Sequence, residues 1–172
     1  MMEKKRVAQI VVPAVILVII ASIWFAKNSN SRTTVDDSWP ALEITSVDLE
    51  EIKAKGLPVM IDFGSDSCLP CRQMAPALAK IYEEMRGKAV IHYIDVWKYP
   101  EAVRDFPVRV IPTQVFFTAD GEPYKPGAEL AEEIPFIFYK TKDTDELVFT
   151  VHEGGLTQEQ MRAILMEMGV AE

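Results

Sequence analysis

The segment Val59-Met-Ile-Asp-Phe-Gly-Ser-Asp-Ser-Cys-Leu-Pro-Cys-Arg-Gln-Met-Ala-Pro76 holds both cysteines of the chain, Cys68 and Cys71. Its apolar run 59–63 predicts a buried central strand, and the pattern over 69–86 predicts a helix. Two thiols three residues apart at this junction form a dithiol/disulfide switch. The first sulfur lies at the helix N-terminus, where unpaired N–H groups and the macrodipole favour the thiolate. The second is close enough to resolve a mixed disulfide made by the first.

Two alternatives compete with a redox function for this cysteine pair. The first is a zinc site, but a closed zinc site needs four ligands, and only His92 and His152 remain to join the cysteines. The second is a structural disulfide that never exchanges. Both alternatives stay open on the cysteines alone, and we expect a site without metal or cofactor.

Two further motifs follow the cysteine segment in a fixed order. They are Ile111-Pro-Thr-Gln-Val-Phe-Phe117 and Gly154-Gly-Leu-Thr157. Together with residues 59–76, they resemble the corresponding segments of the thioredoxin family, over about residues 41–170 with an interruption near 123–146. The resemblance implies an α/β thioredoxin fold, in which helices flank a central mixed sheet, with residues 123–146 as an insertion before the last strand.

The resemblance also implies a role for four side chains. Cys68 would attack a substrate disulfide and Cys71 would release the product. Asp62 would be a buried carboxylate behind the dithiol, with a raised pKa, that exchanges a proton with Cys71; the alternative is a polar strand edge. Pro112 would be a cis-proline that faces the disulfide. Related proteins often place a lysine beside the carboxylate, and the matching position here is predicted to be Ile91.

A substrate-binding surface is expected around the first cysteine. The Ile111 backbone would pair with an extended substrate chain, and Leu69 and Pro70 would contact that chain. Thioredoxins usually carry tryptophans at the positions that Gly64 and Ser67 occupy here. The apolar docking surface is therefore expected to be reduced, which favours a narrower set of clients.

Residues 7–26 form an apolar run without charge that is long enough to span a bilayer. Basic residues slightly favour residues 1–6 as the cytoplasmic end, so residues 41–172 would lie outside the cytoplasm. The alternative is a cleaved signal peptide. Cleavage after Ala26 would put Trp24 at a position that should be small, which favours a retained anchor. Residues 27–40 are polar and predict a linker.

The charge of the chain excludes some classes of partner. The formal net charge is −8, and removing residues 1–26 takes away three basic residues and one acidic residue. The remaining 15 basic and 25 acidic residues argue against nucleic acid or anionic lipid as a partner. No nucleic acid is therefore expected, and the membrane contact would run through the N-terminal helix.

These patterns predict a single-pass cell-membrane protein with an extracytoplasmic thiol–disulfide oxidoreductase domain. Proline at position 70 resembles the reducing members of the family, so a reductant of disulfide-containing exported proteins is favoured. The resemblance implies a membrane thiol transporter as the electron donor. The alternatives are a disulfide oxidant or isomerase, and a non-enzymatic adaptor that uses the fold to hold a partner chain.

The remaining secondary structure is predicted from local patterns. Ser46 would cap a first helix that ends at Lys55, and a loop would hold Pro123, Pro126 and Gly127. Other predicted elements are strands at 89–94, 113–118, 136–139 and 147–151, a short helix at 101–105, and a last helix over 157–168.

Overall fold

A five-stranded mixed sheet organises residues 39–171, which are the residues that the computed structural model describes. The strands are β1 (Val59–Gly64), β2 (Val90–Asp95), β3 (Thr113–Phe117), β4 (Ile137–Lys140) and β5 (Leu147–Glu153). The helices are α1 (Leu49–Lys53), α2 (Leu69–Glu84), α3 (Ala128–Glu133) and α4 (Gln158–Glu167), with a 3₁₀ turn at Pro100–Val103. The sheet order is β2-β1-β3-β5-β4; β1 is parallel to β2, and the other pairs are antiparallel.

The central strand β1 is buried along its whole length, as its near-continuous hydrophobicity predicts. Its side chains alternate between two apolar cores. Met60 lies in the core under α2 and α4, whereas Val59, Ile61 and Phe63 lie in the core under α1 and the 3₁₀ turn. This is the mixed sheet flanked by helices that the resemblance implies. Asp62 lies two residues after Met60, so its side chain is on the same face of the sheet and points toward α2.

Helix α2 carries the cysteines at its first turn and a buried stripe further along. Met74, Leu78 and Ile81 recur at helical spacing, and they pack in one cluster with residues of α4. Each fully buried side chain of this kind contributes about 1.5–3 kcal/mol. The packing fixes the axis of α2, and therefore it fixes the position of its N-terminus against the end of β1.

The segment 123–146 contains more regular structure than predicted, although residues 124–127 form an irregular loop as expected. It contains the unpredicted helix α3 and the predicted strand β4, which pairs with β5 at the edge of the sheet. Tyr124 is buried, its hydroxyl donates to Glu167 Oε1 at 2.7 Å, and the Gly127 N–H donates to the same oxygen. Contacts with α4 therefore hold the start of this segment. Short-range patterns could not show them, because they join residues about forty positions apart.

Two short helices differ from their predicted forms. Asp48, not Ser46, caps α1, because its side chain accepts a hydrogen bond from the Glu51 N–H at 3.0 Å. As a result α1 covers only Leu49–Lys53, and it ends before Gly56, whose φ is +64°. The predicted helix at 101–105 is a 3₁₀ turn at Pro100–Val103. The last helix agrees with its prediction, because Thr157 and Gln160 form a capping box.

The predicted anchor at residues 7–26 and most of the predicted linker lie outside the described residues. Within residues 39–171, no helix has both the length and the apolar character that a membrane span requires. The anchor therefore stays a prediction.

Candidate redox site

Cys68 and Cys71 form a disulfide at the start of α2, with their Cα atoms 5.3 Å apart. Cys68 is the N-cap residue, and its Sγ accepts a hydrogen bond from the Cys71 N–H at 3.3 Å. In the reduced protein the same N–H and the helix dipole would stabilise a Cys68 thiolate. Cys68 is half-buried, whereas Cys71 is only 5% exposed. The pair is therefore asymmetric: a substrate reaches the first sulfur before the second.

The loop before β3 brings a backbone segment against the first sulfur. The Ile111–Pro112 peptide bond is cis, which confirms the sequence prediction. The Ile111 carbonyl oxygen lies 3.7 Å from Cys68 Sγ, and the Pro112 carbonyl accepts from the Gly154 N–H at 2.9 Å. Pro112 is buried and Ile111 is half-buried. The segment around Pro112 therefore lies against Cys68 on one side and is held by the Gly154 backbone through a hydrogen bond.

Asp62 is buried and only 1% exposed, as predicted, so it is not on a polar strand edge. Burial raises its pKa from 3.8 to about 7, because desolvation disfavours the charged carboxylate. Gln114 opposes part of this shift, since its Nε2 donates a hydrogen bond to Asp62 Oδ1 at 2.7 Å. Asp62 therefore titrates near neutral pH, where a proton acceptor is most useful.

The residue beside Asp62 on β2 is Tyr93, not the predicted Ile91. The parallel register pairs Asp62 with Tyr93 and pairs Ile91 with Met60. On the other side of β1, Asp62 is opposite Gln114 of β3. Strand register depends on tertiary contacts, so position-by-position matching of the sequence missed both neighbours.

A cavity of about 120 Å³ connects the carboxylate with the second cysteine. Asp62 and Cys71 both line it, as do Tyr93, Asp66 and Arg72. Asp66 and Arg72 are exposed, so the cavity extends from the buried carboxylate to the protein surface. A proton can therefore pass between Asp62 and Cys71 through the cavity that both residues line.

Asp95, which the sequence analysis did not identify, ties together the two loops at this end of the sheet. Its carboxylate accepts backbone hydrogen bonds from Asp66, Trp97 and Lys98, each at 3.0 Å. Burial opposes ionisation of Asp95, but these three bonds and the Lys98 charge outweigh it, so its pKa is lowered. The loop before Cys68 is thus anchored to the loop after β2 by an ionised carboxylate.

Apolar side chains remain exposed at this end of the molecule although tryptophan is absent at positions 64 and 67. Leu69 is 57% exposed, Trp97 is 64% exposed and Val110 is 50% exposed. Leu69 directly follows Cys68, Val110 precedes Ile111, and Trp97 lies in the loop that Asp95 ties to the Cys68 loop. Leu69 and the exposed Pro70 therefore lie at the surface, and their contact with a substrate chain stays a prediction. Trp97 was not predicted.

Each of the two histidines forms a hydrogen bond with a different backbone carbonyl. His92 Nδ1 is 2.8 Å from the Ala41 carbonyl oxygen, and His152 Nδ1 is 2.9 Å from that of Pro135. Among residues 39–171, no group of three or more histidine, cysteine or acidic side chains is arranged to hold a metal ion. The geometry at Cys68 and Cys71 is that of a disulfide.

We expect Gln114→Met to raise the pKa of Asp62 above about 7. The methionine has a similar volume but cannot donate the hydrogen bond that lowers this pKa. The measurement is a ¹³C NMR titration of the Asp62 carboxyl group, and Gln73→Met on the exposed side of α2 is the control. An Asp62 midpoint that stays unchanged in Gln114→Met would contradict this assignment.

Comparisons with known proteins agree with this geometry. The thioredoxin family model matches residues 42–135. A thioredoxin of Listeria monocytogenes is 41% identical over 99 residues, which are 54% of this chain and 93% of that protein. Thioredoxin 1 of Chlorobaculum tepidum is 35% identical over 66 residues, covering 38% and 65% of the two chains.

Another relative is much longer than this chain. The bifunctional thioredoxin reductase/thioredoxin of Mycobacterium leprae is 32% identical over 98 residues, which are 56% of this chain and 21% of that protein. The chain thus spans less than two thirds of both the Mycobacterium and the Chlorobaculum proteins.

Two solved structures show the same fold. Chloroplastic thioredoxin z has a TM-score of 0.50 at 22% identity, covering 73% of this chain and 91% of that one. Fasciola hepatica thioredoxin has a TM-score of 0.51 at 21% identity, covering 74% and 99%.

Proposed function

This chain belongs to the thioredoxin family, and we propose that it reduces disulfides of exported proteins through Cys68 and Cys71. The homologues and the Cys68–Cys71 disulfide support a thiol–disulfide oxidoreductase. The observation that carries the proposal is the asymmetry of the site. An accessible sulfur caps α2, and a buried sulfur shares a cavity with a carboxylate that titrates near pH 7.

The reaction needs two exchange steps. The Cys68 thiolate attacks one sulfur of the client disulfide, and the other client sulfur leaves as a thiolate that takes a proton from water. Cys71 then gives its proton to the Asp62 carboxylate and attacks Cys68 Sγ, which releases the second client thiolate. This thiolate also takes a proton from water, and Asp62 later returns its proton to the solvent. The client gains two electrons and two protons, and the cysteine pair loses two electrons as it becomes a disulfide.

The buried carboxylate supports the reducing direction. A negative charge beside Cys71 opposes formation of a second negative charge there, so it disfavours the thiolate form of the dithiol. Strong disulfide oxidants have the opposite property, because their reduced form is stabilised. Pro70, which lies early in α2 where no N–H donor is needed, agrees with the reducing members of the family.

A thiol-counting experiment tests the direction of exchange. The full chain is reduced, freed of reductant and mixed with insulin as a disulfide-bonded probe, and thiols on both proteins are then alkylated and counted. We expect one probe disulfide to be lost for each Cys68–Cys71 disulfide formed. Net oxidation of a reduced probe by the oxidised chain would favour the oxidant, and no exchange in either direction would favour the adaptor.

We further propose that the domain works outside the cytoplasm from an N-terminal membrane anchor. The uncharged run 7–26 and the poor cleavage site after Ala26 support a retained anchor. A membrane thiol transporter is then the electron donor, since a domain outside the cytoplasm is separated from soluble cytoplasmic reductants.

We expect the intact chain to stay in the membrane fraction of the cells that produce it. Intact mass and N-terminal sequencing of this fraction should recover a protein that still contains residues 7–26, because about 20 apolar residues insert stably. A soluble exported product that begins near Lys27 would contradict the anchor.

We expect Trp97→Ala to lower the kcat/KM for a protein client roughly 5- to 30-fold, since truncating an aromatic anchor costs about 1–2 kcal/mol. The rate with a small aromatic disulfide should not change, because such a substrate is too small to span from Cys68 to the neighbouring loop. Phe138→Ala on the edge strand β4 is the control, since Phe138 is also about half exposed. Equal effects of the two substitutions would contradict a docking role for Trp97.

A further inference from the structure

The ring of Tyr93 occupies the space above Gly64, next to the second cysteine. A Cβ atom at position 64 would lie 2.9 Å from Tyr93 Cε2, 3.4 Å from Cys71 Cβ and 3.5 Å from Cys71 Sγ. The first distance is shorter than real Cβ contacts, so a side chain at position 64 and the present position of the ring exclude each other. Glycine at position 64 therefore lets an aromatic ring from β2 approach the redox site.

The backbone of Tyr93 is held from both sides. Its strand pairs with β1, where Tyr93 is opposite Asp62. On its other side, the Tyr93 N–H donates to the Leu42 carbonyl at 2.7 Å, and its carbonyl accepts from the Ile44 N–H at 3.0 Å. The ring thus projects from a fixed point, and it lines the cavity together with Asp62, Cys71 and Leu42.

We propose that the half-buried Tyr93 ring is the lid of the Asp62–Cys71 cavity and limits the access of water to that carboxylate. The inference rests on the proposed function, in which Cys71 gives its proton to Asp62 while it attacks Cys68. With the lid in place, the proton passes between these two groups inside the cavity and is exchanged with solvent afterwards. Tyr93 is thus a positioning residue that acts through Asp62.

The charged side chains around the cavity do not keep water away from Asp62, as the ring does. Asp66 comes from the loop before Cys68 and Arg72 from the first turns of α2, and both are exposed. Burial and nearby carboxylates, Asp95 first among them, raise the pKa of Tyr93, so its hydroxyl stays neutral. Glu43 faces Tyr93 from the N-terminal segment. The ring therefore acts on Asp62 by excluding water and not by its charge.

The test is a ¹³C NMR titration of the Asp62 carboxyl group in the full chain, without a client. We expect Tyr93→Val, which keeps a side chain that favours strands, to lower the midpoint by about one pH unit or more, because water then solvates the charged form. Tyr93→Phe keeps the ring and should retain the original midpoint. Tyr82→Ala removes a ring of the same core that does not line the cavity, and it should also leave the midpoint unchanged.

A second variant displaces the Tyr93 ring without changing Tyr93 itself. Gly64→Ala places a methyl group where the ring now lies, so it should lower the Asp62 midpoint in the same direction as Tyr93→Val. An unchanged midpoint in both variants would overturn the proposal, as would an equal shift in Tyr82→Ala. Because the titration needs no redox turnover, a failure of the proposed reductase activity would leave this result readable on its own.

Discussion

Replacing Cys68 with serine is expected to abolish disulfide reduction, whereas Cys71→Ser is expected to accumulate mixed disulfides with clients. Cys68 Sγ is the accessible sulfur at the helix N-terminus, so its loss removes the nucleophile. Cys71 is 5% exposed, and its loss removes only the group that resolves the intermediate. Complete reduction of a client disulfide should fall to the uncatalysed rate in both variants, but only Cys71→Ser should trap a client.

Non-reducing electrophoresis with mass spectrometry of trapped species separates the two variants. The double variant Cys68→Ser/Cys71→Ser is the matched control, and it should trap nothing. Trapping through Cys71 in the Cys68→Ser protein, together with a Cys68 that resists alkylation in the reduced native chain, would reverse the assignment of the two sulfurs.

Asp62→Asn is expected to stabilise the folded protein at neutral pH and to slow the resolving step. The pKa of Asp62 is about 7 in the folded protein and about 3.9 in an unfolded chain. The folded state therefore binds the proton more tightly, so its stability is highest below the unfolded pKa and falls as pH rises toward the folded pKa. At about 1.4 kcal/mol per pH unit, this loss is of the order of 3–4 kcal/mol at pH 7, and the asparagine variant avoids it.

Denaturant unfolding at several pH values measures this difference. The unfolding free energies of the two proteins should separate between about pH 4 and pH 7, with the variant more stable at the upper end. Asp143→Asn, in the exposed turn between β4 and β5, changes the net charge equally and should show no such separation. The second exchange step should slow roughly 100-fold, because Cys71 has lost its proton acceptor. A variant that is less stable at pH 7 and equally fast would contradict both expectations.

The elements that could be predicted from the sequence are those encoded within a few residues. The strand β1, the cysteine pair and the capped last helix each have a local pattern, and the structure contains all three. The cis bond before Pro112 was predicted from a resemblance that spans only three residues. Burial of Asp62 was likewise implied by the resemblance, since the apolar strand alone left a polar strand edge open, and the side chain is buried.

The parts that were missed depend on how distant segments meet. Tyr93 and Gln114 flank Asp62 only because β2 and β3 pair with β1 in one particular register. Asp95 became part of the site through a bond to Asp66, 29 residues earlier in the chain. Trp97 is likewise at the site because that bond brings two loops together. None of these contacts leaves a periodic pattern or a fixed spacing that could be recognised in a single sequence.

The reduction potential of the Cys68–Cys71 pair tests the central claim most directly. The full chain is equilibrated in a series of thiol/disulfide buffers, then quenched by alkylation, and the fraction of reduced pair is counted by mass. We expect a potential near the value of about −270 mV that is typical of thioredoxin. A potential near about −120 mV, which is typical of a strong disulfide oxidant, would contradict the reductant, and a pair that stays oxidised in every buffer would contradict the redox function itself.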